Sequence, residues 1–144
     1  MPAKERKKEK QNAQKDLERG GRAMETLAPQ TERSPLVTFD GKELVIKGRS
    51  FMDNAVEYYK NLIARIKDLP YERLDVVVNL NYFNTSSSKC LLELFRTLER
   101  MNGDGDKISV FWYYEKGVSD LEEAGEDYRD LIETMQFEIV EYEE

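Results

Sequence analysis

The sequence contains no histidine and only one cysteine, Cys90. Without histidine, the chain lacks the commonest general base and the commonest protein ligand of zinc. Ser-His-Asp and Cys-His catalytic groups therefore cannot form, and one cysteine cannot form an internal disulfide. A single cysteine fits the reducing cytoplasm, where we expect this protein to be found. We expect no catalytic activity, no metal and no other cofactor.

Long hydrophobic runs are also absent. The longest, such as Val76-Val77-Val78, are far too short to span a bilayer, so no membrane insertion is expected. The formal net charge of −7 is unevenly distributed. Residues 1–33 hold nine basic and six acidic residues, a net +3, whereas residues 34–144 hold 13 basic and 23 acidic residues, a net −10. An acidic folded part argues against nucleic-acid binding.

Two parts of the chain differ in composition. Residues 1–33 are polar, contain no aromatic residue and are interrupted by Gly20-Gly21 and Pro29. We predict that they form a charged, flexible arm with a transient helix before Gly20. Residues 34–144 have the length and apolar content of one ordinary domain.

Hydrophobic periodicity in residues 34–144 predicts strands that alternate with helices. The expected strands are 36–39, 43–47, 74–83, 107–115 and 137–142, and the expected helices are 51–69, 86–101 and 121–135. Ser50 is a candidate N-cap of the first helix, and Ser119 or Asp120 of the third. Val76 to Val78 predict a strand that is covered on both faces. The resulting fold is α/β, with the order β-β-α-β-α-β-α-β and a mixed sheet of four to five strands.

The run Asn84-Thr85-Ser86-Ser87-Ser88 lies between a predicted strand and the predicted second helix. One helix cap needs only one of these side chains. A phosphate at this position would meet free backbone N–H groups and the positive end of the helix dipole. It would also add about −1.5 to −2 charges to any surface that binds there. The pattern is consistent with a phosphorylation site at Thr85 and also with Thr85 as an ordinary N-cap.

Two stretches resemble the signature regions of the SiaC family of bacterial regulatory phosphoproteins, which have a STAS-like fold, that of the anti-sigma-factor antagonists. The first stretch is Leu80-Asn81-Tyr82-Phe83-Asn84-Thr85-Ser86-Ser87, and the second is Val110-Phe111-Trp112-Tyr113-Tyr114-Glu115. The resemblance covers roughly residues 35–141 and leaves out the charged arm.

The resemblance implies a small cytoplasmic switch protein of bacterial signal transduction, without catalytic activity. A protein kinase would phosphorylate Thr85, with Ser86 and Ser87 as alternative acceptors, and a PP2C-type phosphatase would reverse the modification. The unphosphorylated form would bind an effector protein, such as a diguanylate cyclase of cyclic di-GMP signalling. The expected partner-binding residues are Asn81, Tyr82, Phe83, Asn84, Thr85, Ser86, Ser87 and Tyr113.

Other functions remain open at this point. The chain could act as an anti-sigma-factor antagonist in a partner-switching pathway, although Asn84 stands where many such proteins have Asp. It could also be a scaffold module with the same fold that is never phosphorylated. An enzyme would have to use carboxylates such as Asp75, Asp104 or Asp106, and would need a pocket in which they converge.

Overall fold

The computed structural model describes residues 24–144, which form six strands in one mixed sheet and three helices. In chain order they are β1 (Glu25–Ala28), β2 (Leu36–Phe39), β3 (Glu43–Ser50), α1 (Ala55–Lys67), β4 (Leu74–Phe83), α2 (Thr85–Asn102), β5 (Ile108–Glu115), α3 (Ser119–Leu131) and β6 (Gln136–Tyr142). The strands lie side by side in the same order as in the chain. The predicted α/β fold and the order of elements from β2 to β6 are confirmed.

The strand β1 was not predicted from the sequence. It pairs antiparallel with β2, with Thr26 opposite Thr38, and its Leu27 is buried. The expectation of a flexible segment through residue 33 was therefore wrong for these four residues, and the sheet has one strand more than predicted. The predicted transient helix before Gly20 lies outside the described residues, and the division of the chain at residue 33 stays a prediction.

All three helices pack on one face of the sheet. Strands β3 to β6 are parallel, and each is the neighbour of the next. Because the strands are added in one direction, right-handed crossovers place their helices on the same face. The core between these helices and the sheet is fully buried. Its largest members include Leu44, Ile46, Leu80, Leu91, Leu94, Phe95, Leu98, Ile108 and Trp112.

The opposite face of the sheet is partly exposed. Along β4, Val76 and Val78 are fully buried, but Val77 between them is only half-buried. The prediction that this strand is covered on both faces was therefore wrong. Three consecutive valines made the strand resemble one from the middle of a three-layer fold, whereas the helices of residues 24–144 cover only one side.

The observed bounds of α1 and α3 differ from the predicted ones. Asn54, not Ser50, is at the N-cap position of α1, because Ser50 is still part of β3. At α3 the N-cap position belongs to Val118, without a side-chain cap, so neither Ser119 nor Asp120 is the cap. α3 also ends four residues earlier than predicted, because Ile132 is extended (φ −101°, ψ 119°). None of the helices in residues 24–144 has the length and apolarity needed to cross a membrane.

Candidate functional site

The junction between β4 and α2 is capped by the amide of Asn84 and not by a hydroxyl group. The Asn84 backbone is extended (φ −92°, ψ 180°), and its Oδ1 accepts a 2.9 Å hydrogen bond from the backbone N–H of Ser87. This bond pairs one of the donors that a helix N-terminus leaves without an intrahelical partner. Thr85 is the first residue of the helix, so its alternative role as the N-cap was wrong.

Thr85 and Ser86 are both exposed on the first turn of α2. This turn contains no acidic residue, and Lys89 is exposed one turn further along. Residues four positions apart lie on the same side of a helix, so Lys89 is a neighbour of Thr85. The positive end of the helix dipole adds to this charge. A phosphate on the Thr85 hydroxyl would therefore lie in solvent and beside positive charge.

Ser87, in contrast, is fully buried. Its Oγ lies 2.7 Å from Oγ of Ser50, which also lies 2.7 Å from the hydroxyl of Tyr59. Burial raises the pKa of Tyr59, which keeps its phenol neutral and able to share these hydrogen bonds. The expectation that Ser87 is an alternative acceptor or a contact for partners does not fit this position, because its hydroxyl faces the core.

The end of β4 presents Asn81 and Tyr82 to solvent. β3 pairs with Leu80 and then with Tyr82, so Asn81 is an extra residue that forms a bulge. Asn81 is exposed, and 52% of Tyr82 is exposed. The Tyr82 ring packs edge-on against Phe51 with centroids 5.6 Å apart. These two residues directly precede the Thr85 segment in the chain, and their part in partner binding stays a prediction.

Two other predicted contact residues are positioned differently. Phe83 is half-buried and packs edge-on against Trp112, with ring centroids 5.7 Å apart. It therefore supports the core more than it forms the surface. Tyr113 lies on the sheet face opposite the helices, where its ring centroid is 6.4 Å from that of Tyr142. The structure does not bring Tyr113 together with Thr85, because alternate residues of β5 face opposite sides of the sheet.

A groove of about 670 Å³ runs between α1 and α2 and ends at Ser86. Its apolar part is formed by Val56, Tyr59, Ile63, Ala64 and Cys90. Val56 is unusual, because 74% of this aliphatic side chain is exposed. The sequence analysis missed this groove. The signal was present in Val56 and Ile63, which are seven residues apart and form a second apolar stripe beside the core-facing one.

The rim of the groove is mainly basic. Lys60, Lys67, Lys89 and Arg100 line it, together with the single carboxylate of Glu93. Arg100 forms an ion pair of 3.1 Å with Glu93, which leaves the three lysines as the excess charge. This positive rim contrasts with the net −10 of residues 34–144. A ligand with an apolar surface and acidic flanks would fit its chemistry.

Catalytic chemistry has little support in the described residues. No group of three or more His, Cys, Asp or Glu side chains within residues 24–144 could hold a metal ion. None of Asp75, Asp104 and Asp106 lines the groove, so these candidates do not converge there. Cys90 does line it, but burial raises the pKa of its thiol, and the neutral thiol is a poor nucleophile.

Comparison with known proteins identifies relatives of this chain. A family model described as SiaC family regulatory phosphoprotein matches residues 28–142. An uncharacterised protein of Pseudomonas aeruginosa strain UCBPP-PA14 is 25% identical over 107 residues, which cover 71% of this chain and 85% of that protein.

Solved structures from the same species have the same fold. A chain from the crystal structure of the diguanylate cyclase SiaD in complex with its activator SiaC is 25% identical and superposes with a TM-score of 0.72. The match covers 80% of this chain and 98% of that chain. A structure of SiaC of Pseudomonas aeruginosa is 24% identical, with a TM-score of 0.66 and coverage of 81% and 96%.

Proposed function

The chain belongs to the SiaC family of regulatory phosphoproteins, and from this premise we propose that it is a switch controlled by phosphorylation of Thr85. The unphosphorylated form binds and activates an effector, which we propose is a diguanylate cyclase, as SiaC is the activator of SiaD. Phosphorylation releases the effector. The observation that carries the proposal is the exposure of Thr85 at the N-terminus of α2 while Asn84 caps the helix.

The choice of Thr85 among the hydroxyl residues rests on exposure and position. Ser87 is buried, so a kinase would have to unfold the first turn of α2 to reach it. Ser86 is exposed but lines the end of the groove, and it is the alternative acceptor. Since Asn84 already provides the cap, modification of Thr85 leaves the hydrogen bond that starts the helix intact.

We propose that the effector binds across the Thr85 segment and the groove between α1 and α2. The groove offers apolar surface around Val56 and Ile63, and its lysines would attract a partner with acidic groups. Tyr82 and Asn81 are exposed at the end of β4, directly before the Thr85 segment in the chain, and we propose that they contribute to the same surface. Aromatic residues such as the exposed Tyr82 are enriched in protein-binding surfaces.

The effect of the phosphate follows from charge. A phosphate on Thr85 adds about −1.5 to −2 charges beside Lys89 and reduces the positive potential of the rim. It also places a dianion in an interface that, without it, buries a neutral hydroxyl, and burial of an uncompensated charge costs several kcal/mol. The helix N-terminus stabilises the phosphate itself, so the fold is retained while the effector is released.

The switch requires two enzymes besides the effector. A protein kinase adds the phosphate and a PP2C-type phosphatase removes it, while the protein itself has no catalytic role. Because Thr85 is exposed, both enzymes can reach its hydroxyl group from solvent without unfolding the helix.

Intact-mass measurement of the protein from its native host tests the proposal. We expect a population heavier by one phosphate group, which disappears in Thr85→Ala and persists in the matched control Ser86→Ala. A co-purification experiment with the two variants then identifies the effector, which should be retained by Thr85→Ala. The proposal is refuted if no phosphorylated species exists under any growth condition, since the chain would then be an unmodified scaffold.

A further inference from the structure

Lys89 belongs to two parts of the candidate site at once. It is exposed on α2, four residues after Thr85, and it also lines the groove between α1 and α2. Residues four positions apart are neighbours on the surface of a helix. A long, flexible side chain at this position can therefore serve either the Thr85 segment or the rim of the groove.

The order of Thr85 and Lys89 along α2 favours an ion pair between Lys89 and a phosphate on Thr85. Side chains of an α-helix lean toward its N-terminus, so the residue at position i+4 reaches back toward position i. An acidic residue four positions before a lysine therefore stabilises a helix more than the reverse order does. A phosphate on Thr85 would be an acidic group in this favourable position.

No carboxylate of residues 24–144 occupies Lys89. The acidic residue of α2 within four positions of it is Glu93, and there the lysine comes first, which is the less favourable order. The Glu93 carboxylate instead accepts hydrogen bonds from Arg100 at 3.1 Å and from the Thr97 hydroxyl at 3.4 Å. None of the ion pairs formed among these residues includes Lys89. Its ammonium group is thus available to a new partner.

The other two lysines of the rim are less suited to hold the phosphate. Lys60 belongs to the neighbouring helix and comes three residues after the exposed Glu57, a spacing at which opposite charges attract each other. Lys67 is the last residue of α1, at the end of the groove opposite to Ser86. Spacing and helix direction therefore single out Lys89.

We propose that Lys89 changes its partner when Thr85 is phosphorylated. This inference rests on the proposed function, because it concerns the same phosphate. In the unmodified protein, the Lys89 ammonium is part of the basic rim and pairs with an acidic group of the effector. In the phosphorylated protein, it forms an ion pair with the Thr85 phosphate on its own helix, so the rim loses this charge.

The two partners of Lys89 compete on unequal terms. The phosphate carries about −1.5 to −2 charges, whereas a carboxylate of the effector carries one. The phosphate is also attached to the same helix, so its effective concentration beside Lys89 is high whether or not the effector is present. Phosphorylation thus acts on the groove as well as on the Thr85 segment itself.

Titration of the phosphate by phosphorus NMR tests the ion pair. The full chain is produced with phosphothreonine incorporated at position 85 during translation, and its second ionisation is followed around about pH 6. Because Lys89 stabilises the dianion, the titration midpoint of wild type should lie below that of Lys89→Gln by about 0.2–0.4 pH units at low salt. The difference should shrink at high salt, because salt screens exposed charges.

Three further variants separate an ion pair from a general effect of charge. Lys67→Gln makes the same change of charge at the far end of the groove and should leave the midpoint within ~0.1 pH units of wild type. Lys89→Arg keeps the charge and should retain the low midpoint. Lys60→Gln tests the neighbouring helix and should shift the midpoint less than Lys89→Gln does.

Effector binding tests the exchange of partners. The probe is the protein that co-purifies with Thr85→Ala, used against the modified and unmodified forms of each variant. Lys89→Gln should weaken binding of the unmodified form several-fold, and phosphorylation should then weaken it at least about threefold less than it does in wild type. In Lys67→Gln the effect of phosphorylation should remain as large as in wild type.

Equal midpoints in wild type and Lys89→Gln would overturn the inference. So would a shift no larger than that of Lys67→Gln, or a larger shift in Lys60→Gln, which would assign the phosphate to α1. An effect of phosphorylation on binding that is unchanged in Lys89→Gln would refute the exchange of partners. Because the phosphothreonine is incorporated during translation, the titration needs no kinase, and its failure leaves the proposed phosphorylation switch intact. Absence of the phosphorylated protein from the host would instead refute the switch itself.

Discussion

The hydroxyl oxygens of Ser50 and Ser87 lie 2.7 Å apart, although 37 residues separate them in the sequence. Ser50 ends β3, and Ser87 belongs to the first turn of α2. The Tyr59 hydroxyl of α1 completes the contact at 2.7 Å from Ser50. The turn that carries Thr85 is thus tied to a strand and to a second helix by buried hydrogen bonds. A rigid turn presents Thr85 and the groove in a fixed relative position.

The first prediction concerns this buried contact. Ser87→Ala should lower the free energy of unfolding by about 1–2 kcal/mol, because it leaves the buried Ser50 hydroxyl with fewer partners. Ser50→Ala should cost more, since it removes a partner from both Ser87 and Tyr59. Urea unfolding measures both changes. The exposed Ser86→Ala is the matched control and should stay within ~0.5 kcal/mol of wild type. Equal stabilities of Ser87→Ala and Ser86→Ala would contradict the role of this contact.

A second prediction separates the cap from the phosphorylation site. Asn84→Ala should cost about 1 kcal/mol of stability, because it removes the acceptor of the Ser87 N–H. Asn84→Asp should retain the stability, since a carboxylate also caps the helix and favours its positive end. Thermal unfolding provides the measurement. Thr85→Ala should change stability by less than ~0.5 kcal/mol. A larger loss for Thr85→Ala than for Asn84→Ala would mean that Thr85 is the structural residue after all.

The third prediction tests the basic rim of the groove. Lys67→Glu, at the end of the groove opposite to Ser86, should slow association with the effector by several-fold to about tenfold. The salt dependence of the association rate should also weaken, because less positive charge steers the encounter. Surface plasmon resonance at two salt concentrations measures both quantities. Lys42→Glu, in the exposed turn between β2 and β3, has the same change of charge and should bind normally. If both variants associate equally, the groove is not the docking surface.

The fourth prediction is a pH dependence at Glu99. Burial acts to raise the pKa of this carboxyl, but hydrogen bonds from the Thr134 and Glu133 N–H groups and the Thr134 hydroxyl lower it overall. A lowered pKa in the folded state stabilises the protein above the pKa of the unfolded chain, and this stabilisation is lost as the pH falls through the folded-state pKa. Wild type should therefore exceed Glu99→Gln in stability at pH 7, and the difference should shrink below about pH 4.

Urea unfolding at several pH values checks this dependence. Glu123→Gln makes the same change of charge on the exposed surface of α3 and is the control. A stability difference between wild type and Glu99→Gln that is independent of pH would show that the carboxylate charge contributes nothing.

Most elements of the fold were predictable because their side chains follow a clear period. The stripe Leu91, Leu94, Phe95 and Leu98 fixed α2, and all four residues are fully buried. Gly103 follows this helix with a positive φ of 56°, a backbone conformation that glycine adopts without strain. The end of α3 could not be predicted in this way. Ile132 and Met135 are buried and continue the helical spacing, but they belong to the segment that leads into β6.

What the sequence did not reveal depends on neighbours from distant parts of the chain. β1 is only four residues long and polar at its start, so its pairing with β2 has no strong local signal. Gly125 is a second example, because a Cβ at this position would lie 2.4 Å from Cδ1 of Trp112. The need for glycine arises from a ring on another element. At the site, Thr85 is exposed, as a phosphorylation site requires, and its modification stays a prediction. The burial of Ser87 and the groove depend on the packing of α1 against α2, which the sequence does not show.

The central claim is that a phosphate on Thr85 decides whether the effector binds, and its most direct test is a pair of affinities. Isothermal titration calorimetry of the purified effector, which we propose is a diguanylate cyclase, against the unmodified protein and against protein stoichiometrically phosphorylated on Thr85 gives both values. We predict that phosphorylation weakens binding by at least about tenfold, or 1.4 kcal/mol. Equal affinity of the two forms would contradict the account.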